Sequence, residues 1–472
     1  MKSLDDGKVD MQKRFAGIVL CIIVALLMIG CPQEESPGPV AGPLIPTQAR
    51  DPKPSLLLQE TVPLQRFELA GQALSVWRQY SSRKPTLLLL SNDPMLLRTP
   101  DEVWPEVARV VALGDVAALK RAVTTEGSSP LLLPAMTVDA ALRSGWFGSL
   151  VWSLPLTDLV QGLDLANLSK QLLDNRLLND QEVATLNLSN HVIKGQVRDT
   201  PLLMGALSHL PEISEPVILH IDQSYFQKLY KNEIATPLIP LVIETLKILR
   251  DKKIPVLAVT FDYGNLAERI SLDVRFLGEI IAELVVRPES LDEPLLKNWQ
   301  RQGDILYLNN FFQKGKVMEA ALAMESEAPD SAWVKFALYR AAAGNQQGNE
   351  ALRYLAEAVD RDNAYALEYL SLSKMAYDKG RPDEAMRMLT LAGKALPDNP
   401  FIKLDMAQLA LNMEDKKTAL HLVEPLQQLE WSTVYFPEMP SYLASFAAFL
   451  KGEDVPAPQK STNDPRRQRI LK

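Results

Sequence analysis

Four short, largely apolar runs punctuate the first part of the chain: Thr86 to Leu90, Ser149 to Trp152, Pro216 to Ile221 and Pro255 to Phe261. Each ends at polar or turn-forming residues. Runs of this length without polar alternation are the mark of strands buried on both faces, as in parallel sheets. Between them lie helical patterns, over Asp101 to Val123, Leu238 to Arg250 and Leu272 to Val286, with apolar residues at three- and four-residue spacing. Alternation of this kind predicts an α/β layered domain with a mostly parallel sheet over residues 56–298. Ligands of such sheets collect beyond the carboxyl ends of the strands. Here those ends carry Asp93, Asp222 and Asp262.

From about residue 299 the strand signals vanish and only the helical period remains. Ala351, Ala385 and Ala419 stand 34 residues apart, and small or apolar residues recur around each. Leu338, Ala342, Leu355 and Ala358 in one unit match Leu372, Ala376, Leu389 and Ala392 in the next. Met406, Ala410, Val423 and Leu426 fill the same places in the third. A divergent unit is expected before them, with Ala320 in the place of Ala351 and a spacing of 31 instead of 34. A unit that cannot bury its own apolar face must stack on its neighbours. The α/β domain is thus followed by an all-α helical repeat array over 299–430, a capping helix within 431–452 and a disordered tail over 453–472. The repeats resemble the tetratricopeptide family. That resemblance implies a groove lined by the first helix of each unit, formed by Phe336, Arg340, Leu370, Lys374, Tyr377, Leu404, Gln408 and Asn412. It also implies a protein partner, held as an extended segment or a helix.

Ahead of both domains, Lys13 and Arg14 precede an apolar run from Phe15 to Gly30, 16 residues long. A bilayer-spanning helix needs about 20, so the run suits the apolar region of a signal peptide. Gly30-Cys31 then resembles the bacterial lipobox, with Met28 where leucine is usual. The resemblance implies a signal peptide over 1–31, lipid on Cys31 and a membrane anchor. With Pro32 and Gln33 in place of an acidic residue, it further implies the outer membrane, facing the periplasm. Residues 32–55 are rich in proline and poor in apolar side chains, which predicts an extended tether.

Composition narrows the chemistry. Cys21 and Cys31 are the two cysteines in the sequence, so the mature domains hold no thiol for a disulfide, a nucleophile or a thiolate metal site. A net charge of -8 argues against nucleic acid as a partner. No phosphate-binding glycine loop and no nucleophile elbow occurs, so no cofactor is expected.

The segment Pro216 to Phe226, with His220 and Asp222 two residues apart, resembles the metal-binding strand of the arginase–deacetylase superfamily in a degenerate form. Ser224 stands where that family has a second carboxylate, and in the strand ending near Asp93, Ser91 replaces another. The resemblance makes Asp93, His220 and Asp222 weak metal candidates, and implies as an alternative a metal-dependent amide or amidine hydrolase with a reduced site. No catalytic residue is assigned. The expected function is a membrane-anchored lipoprotein serving as a protein-interaction scaffold, more in keeping with a binding protein than an enzyme.

Overall fold

The computed structural model describes residues 53–123, 127–156, 163–232, 237–264, 272–311 and 313–454. The expected signal peptide, Cys31, most of the tether and nearly all of the tail lie outside them.

A nine-stranded sheet organises the first domain. Its strands are β1 (Ser55–Leu56), β2 (Leu64–Phe67), β3 (Thr86–Leu90), β4 (Ser149–Leu154), β5 (Asn187–Ser189), β6 (Val192–Val197), β7 (Thr200–Ala206), β8 (Val217–Asp222) and β9 (Pro255–Asp262). The order is β1-β9-β8-β3-β4-β7-β6-β5, with β2 also on β9. From β2 through β9, β8, β3 and β4 to β7 all pairings are parallel, while β1, β6 and β5 join antiparallel. All four apolar runs are central parallel strands, as their patterning predicts. Ser55 already pairs with Val256, so the fold starts at the last residue of the expected tether.

Both faces of the central strands are covered. Leu88 and Leu90 of β3 belong to one core, Leu87 and Leu89 to the other. Successive side chains of a strand point to opposite faces, so an unbroken apolar run feeds two cores. The second of these cores includes helices α1 (Trp104–Leu113) and α2 (Thr137–Arg143). The first includes α3 (Gln223–Asn232), α4 (Leu238–Asp251) and α5 (Leu277–Val286). The chain runs from β3 outward to β4 and β7, then returns to the other side of β3 as β8 and continues to β9. The topological switch point therefore falls between β3 and β8.

The array follows as helix pairs α6 (Lys297–Asn310) and α7 (Lys314–Glu327), α8 (Ala332–Gly344) and α9 (Gly348–Arg361), α10 (Leu367–Asp378) and α11 (Pro382–Ala395), and α12 (Pro400–Asn412) and α13 (Lys416–Gln427), capped by α14 (Met439–Lys451). Ala351, Ala385 and Ala419 are buried at the helix contacts, as the period requires. The divergent first unit corrects the expected register. Val317, Ala321 and Met324 are its buried positions, while Ala320 is half-buried. Val317 lies 34 residues before Ala351, so the period holds through all four units and the 31-residue spacing is dropped. The alanine expected there is a valine, which hid the match.

The array is not a free arm. Its first units share a continuous core with one face of the sheet, from Leu219 and Phe261 through Ile280 to Ile305, Trp333 and Ala351. At this end Arg275 pairs with Glu68 and with Asp362, both at 2.6 Å, and its guanidinium lies 4.1 Å above the Tyr263 ring. Trp333 Nε1 donates to the Asp273 carbonyl at 2.7 Å. At the far end, Ser432 N donates to Ser128 O and Tyr435 Oη to Leu131 O, both at 3.0 Å.

Candidate functional site

The loops leaving β3 and β8 meet at the switch point, the place where open α/β sheets bind ligands. The turn after β3 runs Ser91-Asn92-Asp93-Pro94, and β8 ends at Asp222, one residue before α3 begins. Ser224 N donates to Asp222 Oδ1 at 2.8 Å, the short-range bond that aspartate makes at the start of a helix. Ser224 Oγ donates to Asp222 Oδ2 at 2.5 Å, and Ser91 Oγ lies 2.7 Å from that same oxygen.

The hydrogen-bond geometry accommodates a proton on this group. Ser91 Oγ is also 2.6 Å from the Asp93 carbonyl, which can only accept. One hydroxyl proton cannot serve both oxygens. If Ser91 donates to Asp93 O, then a proton on Asp222 Oδ2 completes the network by donating to Ser91 Oγ. The electrostatics agree. Burial, and then the nearby Asp262 carboxylate, push Asp222 up to about 7, against the opposing pull of the serine hydrogen bonds.

His220, two residues earlier on β8, belongs to a second, buried chain of polar groups that meets the first at Asp262. Trp77 Nε1 donates to Thr260 Oγ1 at 3.1 Å, and His220 Nδ1 is 2.9 Å from the same hydroxyl. His220 Nε2 lies 2.8 Å from Asp262 Oδ2, close but out of line for a hydrogen bond. Asp262 Oδ1 accepts from Gly264 N at 2.7 Å. A hydroxyl, an imidazole and a carboxylate in series have the composition of a nucleophile triad. Thr260, His220 and Asp262 are nevertheless fully buried, with Trp77 stacked edge-on at 5.1 Å from the imidazole. The series leaves His220 Nε2 and Asp262 Oδ2 without a hydrogen bond, and the hydroxyl is closed to a substrate.

Asp93, Asp222 and Asp262 converge on one half-open depression, walled by Ala70, Met95, Pro134 and Ala135. It has room for roughly one water molecule. The donor set does not suit a metal centre built on the weak candidates Asp93, His220 and Asp222. His220 faces Thr260 and Asp262, Asp93 Oδ1 accepts from Met95 N at 2.8 Å, and both oxygens of Asp222 accept or share hydrogen bonds. Among the described residues, no three His, Cys, Asp or Glu side chains gather in a way that could hold a metal ion. Ser91 and Ser224, which the sequence presents as lost carboxylates, are the partners of the surviving one. Thr260 and Trp77 gave no signal in the sequence; only the pairing of β8 with β9 brings Thr260 beside His220.

On the array, the expected groove residues divide. Asn412 Nδ2 donates to Tyr377 Oη at 3.0 Å, joining the first helices of successive units. Tyr377 is 48% exposed, and Lys374 and Arg340 are exposed as well. Lys374 pairs with Asp378 at 2.5 Å, and Gln408 Nε2 donates to Tyr442 Oη at 2.9 Å. Leu370 is half-buried. Phe336 and Leu404 are corrections, because both are buried and cannot line a groove. Phe336 packs between Tyr339 and Tyr365, at centroid distances of 5.4 and 4.7 Å. Leu404 is enclosed in a cluster with Phe401, Trp431, Phe436 and Leu443. Arg340, the groove residue that shares α8 with Phe336, lies 3.4 Å from Asp273 of the sheet domain, so the chain itself takes up part of the expected surface.

No protein-family model matches the chain, and no curated protein matches it in sequence. Among the described residues no helix is long and apolar enough to cross a membrane.

Proposed function

We propose that the protein is a bacterial lipoprotein, anchored in the cell envelope through Cys31, whose repeat array holds a protein partner. The supporting observation is the exposed polar and aromatic stripe formed by Lys374, Tyr377 and Asn412, in which two successive units join through the Asn412–Tyr377 hydrogen bond. First helices in register present a continuous face, and such a face takes an extended segment or a helix of another protein. The apolar run ending at Gly30-Cys31 supports the anchor, with the outer membrane as its expected home. The buried carboxylate network at the switch point is in this reading a non-catalytic remnant of an enzyme fold.

Co-purification from native membranes tests the reading. Wild-type protein should retain a partner that the double variant Tyr377→Ala, Asn412→Ala loses, with both proteins equally folded. Identical recovery from both would contradict it. For the anchor, Cys31→Ser should abolish incorporation of radiolabelled palmitate; labelling that persists would exclude lipid on this cysteine.

A further inference from the structure

The end of the array reaches one wall of the carboxylate depression through a short chain of contacts. Segment 431–436, between α13 and α14, is fixed to the array by an aromatic cluster. Phe401 lies 5.6 Å from Trp431 and 5.1 Å from Phe436, centroid to centroid. On its other side the segment grips the loop that precedes α2. Ser432 N donates to Ser128 O at 3.0 Å, and Tyr435 Oη lies 3.0 Å from Leu131 O and 3.4 Å from Met136 Sδ. Between Leu131 and Met136 stand Pro134 and Ala135, which wall the depression. That wall is in turn zipped to the turn after β3. Leu97 N donates to Ala135 O at 2.9 Å, and Val138 N and Asp139 N to Met95 O at 3.1 and 3.2 Å. Met95 and Asp93 also line the depression.

We infer that segment 431–436 is a strap through which the repeat array sets the opening of the depression at the switch point. Its physical basis is the asymmetry of its two attachments. The array side is a packed aromatic cluster, with shape and area to hold it rigid. The wall side is one half-buried ring, Tyr435, packed against the sheet-domain core that holds Leu132 and Met136, with three polar contacts, two of them made by its hydroxyl. A shift at the end of the array is carried by the Tyr435 ring and its hydroxyl to Leu131 and Met136, and through them to Pro134 and Ala135. The inference concerns coupling within the chain and does not rest on the partner-binding reading. It makes the depression responsive to whatever occupies or strains the array.

Amide hydrogen exchange on the full chain, wild type against Tyr435→Phe, tests this. The variant keeps the ring and its packing and removes only the hydroxyl. Loss of one hydrogen bond should speed exchange over residues 131–139 roughly fivefold. Asp93 to Leu97 should follow, because their bonds close on the same wall, while α8 and α9 stay unchanged. Unchanged exchange at 131–139 would overturn the strap, and so would an increase spread evenly over the sheet core. Trp431→Ala supplies a second test, since releasing the array side should loosen the same wall. A wall unaffected in that variant would likewise contradict the coupling.

Discussion

Arg275 holds Asp362 at 2.6 Å while also gripping Glu68, so one guanidinium ties the α/β domain to the repeat array. Arg275 is 12% exposed as a side chain, and its carboxylate partners hold its charge firmly in place. Removing one partner of a buried ion pair leaves uncompensated charge, at a cost of roughly 3–5 kcal/mol. Glu68 is more than half exposed here, which lowers that figure. Arg275→Ala should therefore destabilise the protein by about 2–3 kcal/mol. It should also uncouple the two parts, so that urea transitions followed by circular dichroism and by tryptophan fluorescence separate. Coincident transitions with little loss of stability would show that the shared apolar core alone joins them.

Asp222 makes stability depend on pH in a defined direction. Its folded value is raised to about 7 from an ordinary 3.8, so between those values the folded state holds a proton that the unfolded state has released. Stability contributed by this group is lost as pH rises from about 4 to about 7, and the penalty is complete above that. Asp222→Asn cannot ionise. Its stability relative to wild type should therefore climb across that window, by on the order of 4 kcal/mol between pH 4 and pH 8. Chemical denaturation of both proteins across the range decides it. A difference that does not change with pH would mean that Asp222 ionises normally.

The register of the first repeat unit is open to a direct contrast. Ala321 is fully buried in the unit, whereas its neighbour Ala320 is half-buried. Overpacking a close helix contact costs about 1–3 kcal/mol. Ala321→Leu should show that loss in thermal unfolding, as should Ala385→Leu in the third unit, and Ala320→Leu should be tolerated. Equal effects at 320 and 321 would return the unit to the 31-residue spacing.

These cases show which parts of the fold were legible in the sequence. β3, β4, β8 and β9 announce themselves because strands buried on both faces need unbroken apolar runs. The meander β5 to β7 does not. β5 is exposed throughout, and the tight turns of the meander use Asn190-His191 and Arg198-Asp199, all at positive φ, without the glycine that marks such turns most strongly. Asp139, Glu182 and Arg198 were equally silent, although Arg198 Nε lies 2.6 Å from Asp139 and its guanidinium pairs with Glu182 at 2.7 Å. Residues that meet only through tertiary packing leave no periodic trace.

The candidate site was half legible for the same reason. Strand ends identified Asp93, Asp222 and Asp262, because topology alone brings them to one edge. Their protonation and partners depend on Ser91, Ser224 and Thr260, which spacing does not mark. In the array, repeat register placed Lys374, Tyr377 and Asn412 on the surface, but it could not show that Tyr339 and Tyr365 enclose Phe336 or that Trp431 and Phe436 help enclose Leu404.

The proposed scaffold role is tested most directly by site-specific photo-crosslinking in intact cells. A photoreactive residue at Tyr377 is compared with one at Leu113, which is 60% exposed on the sheet domain. The proposal predicts a discrete crosslinked protein from position 377, abolished by Lys374→Glu with Asn412→Ala, and none from position 113. The same products from both positions, or none from 377, would contradict a partner-binding stripe on the repeats.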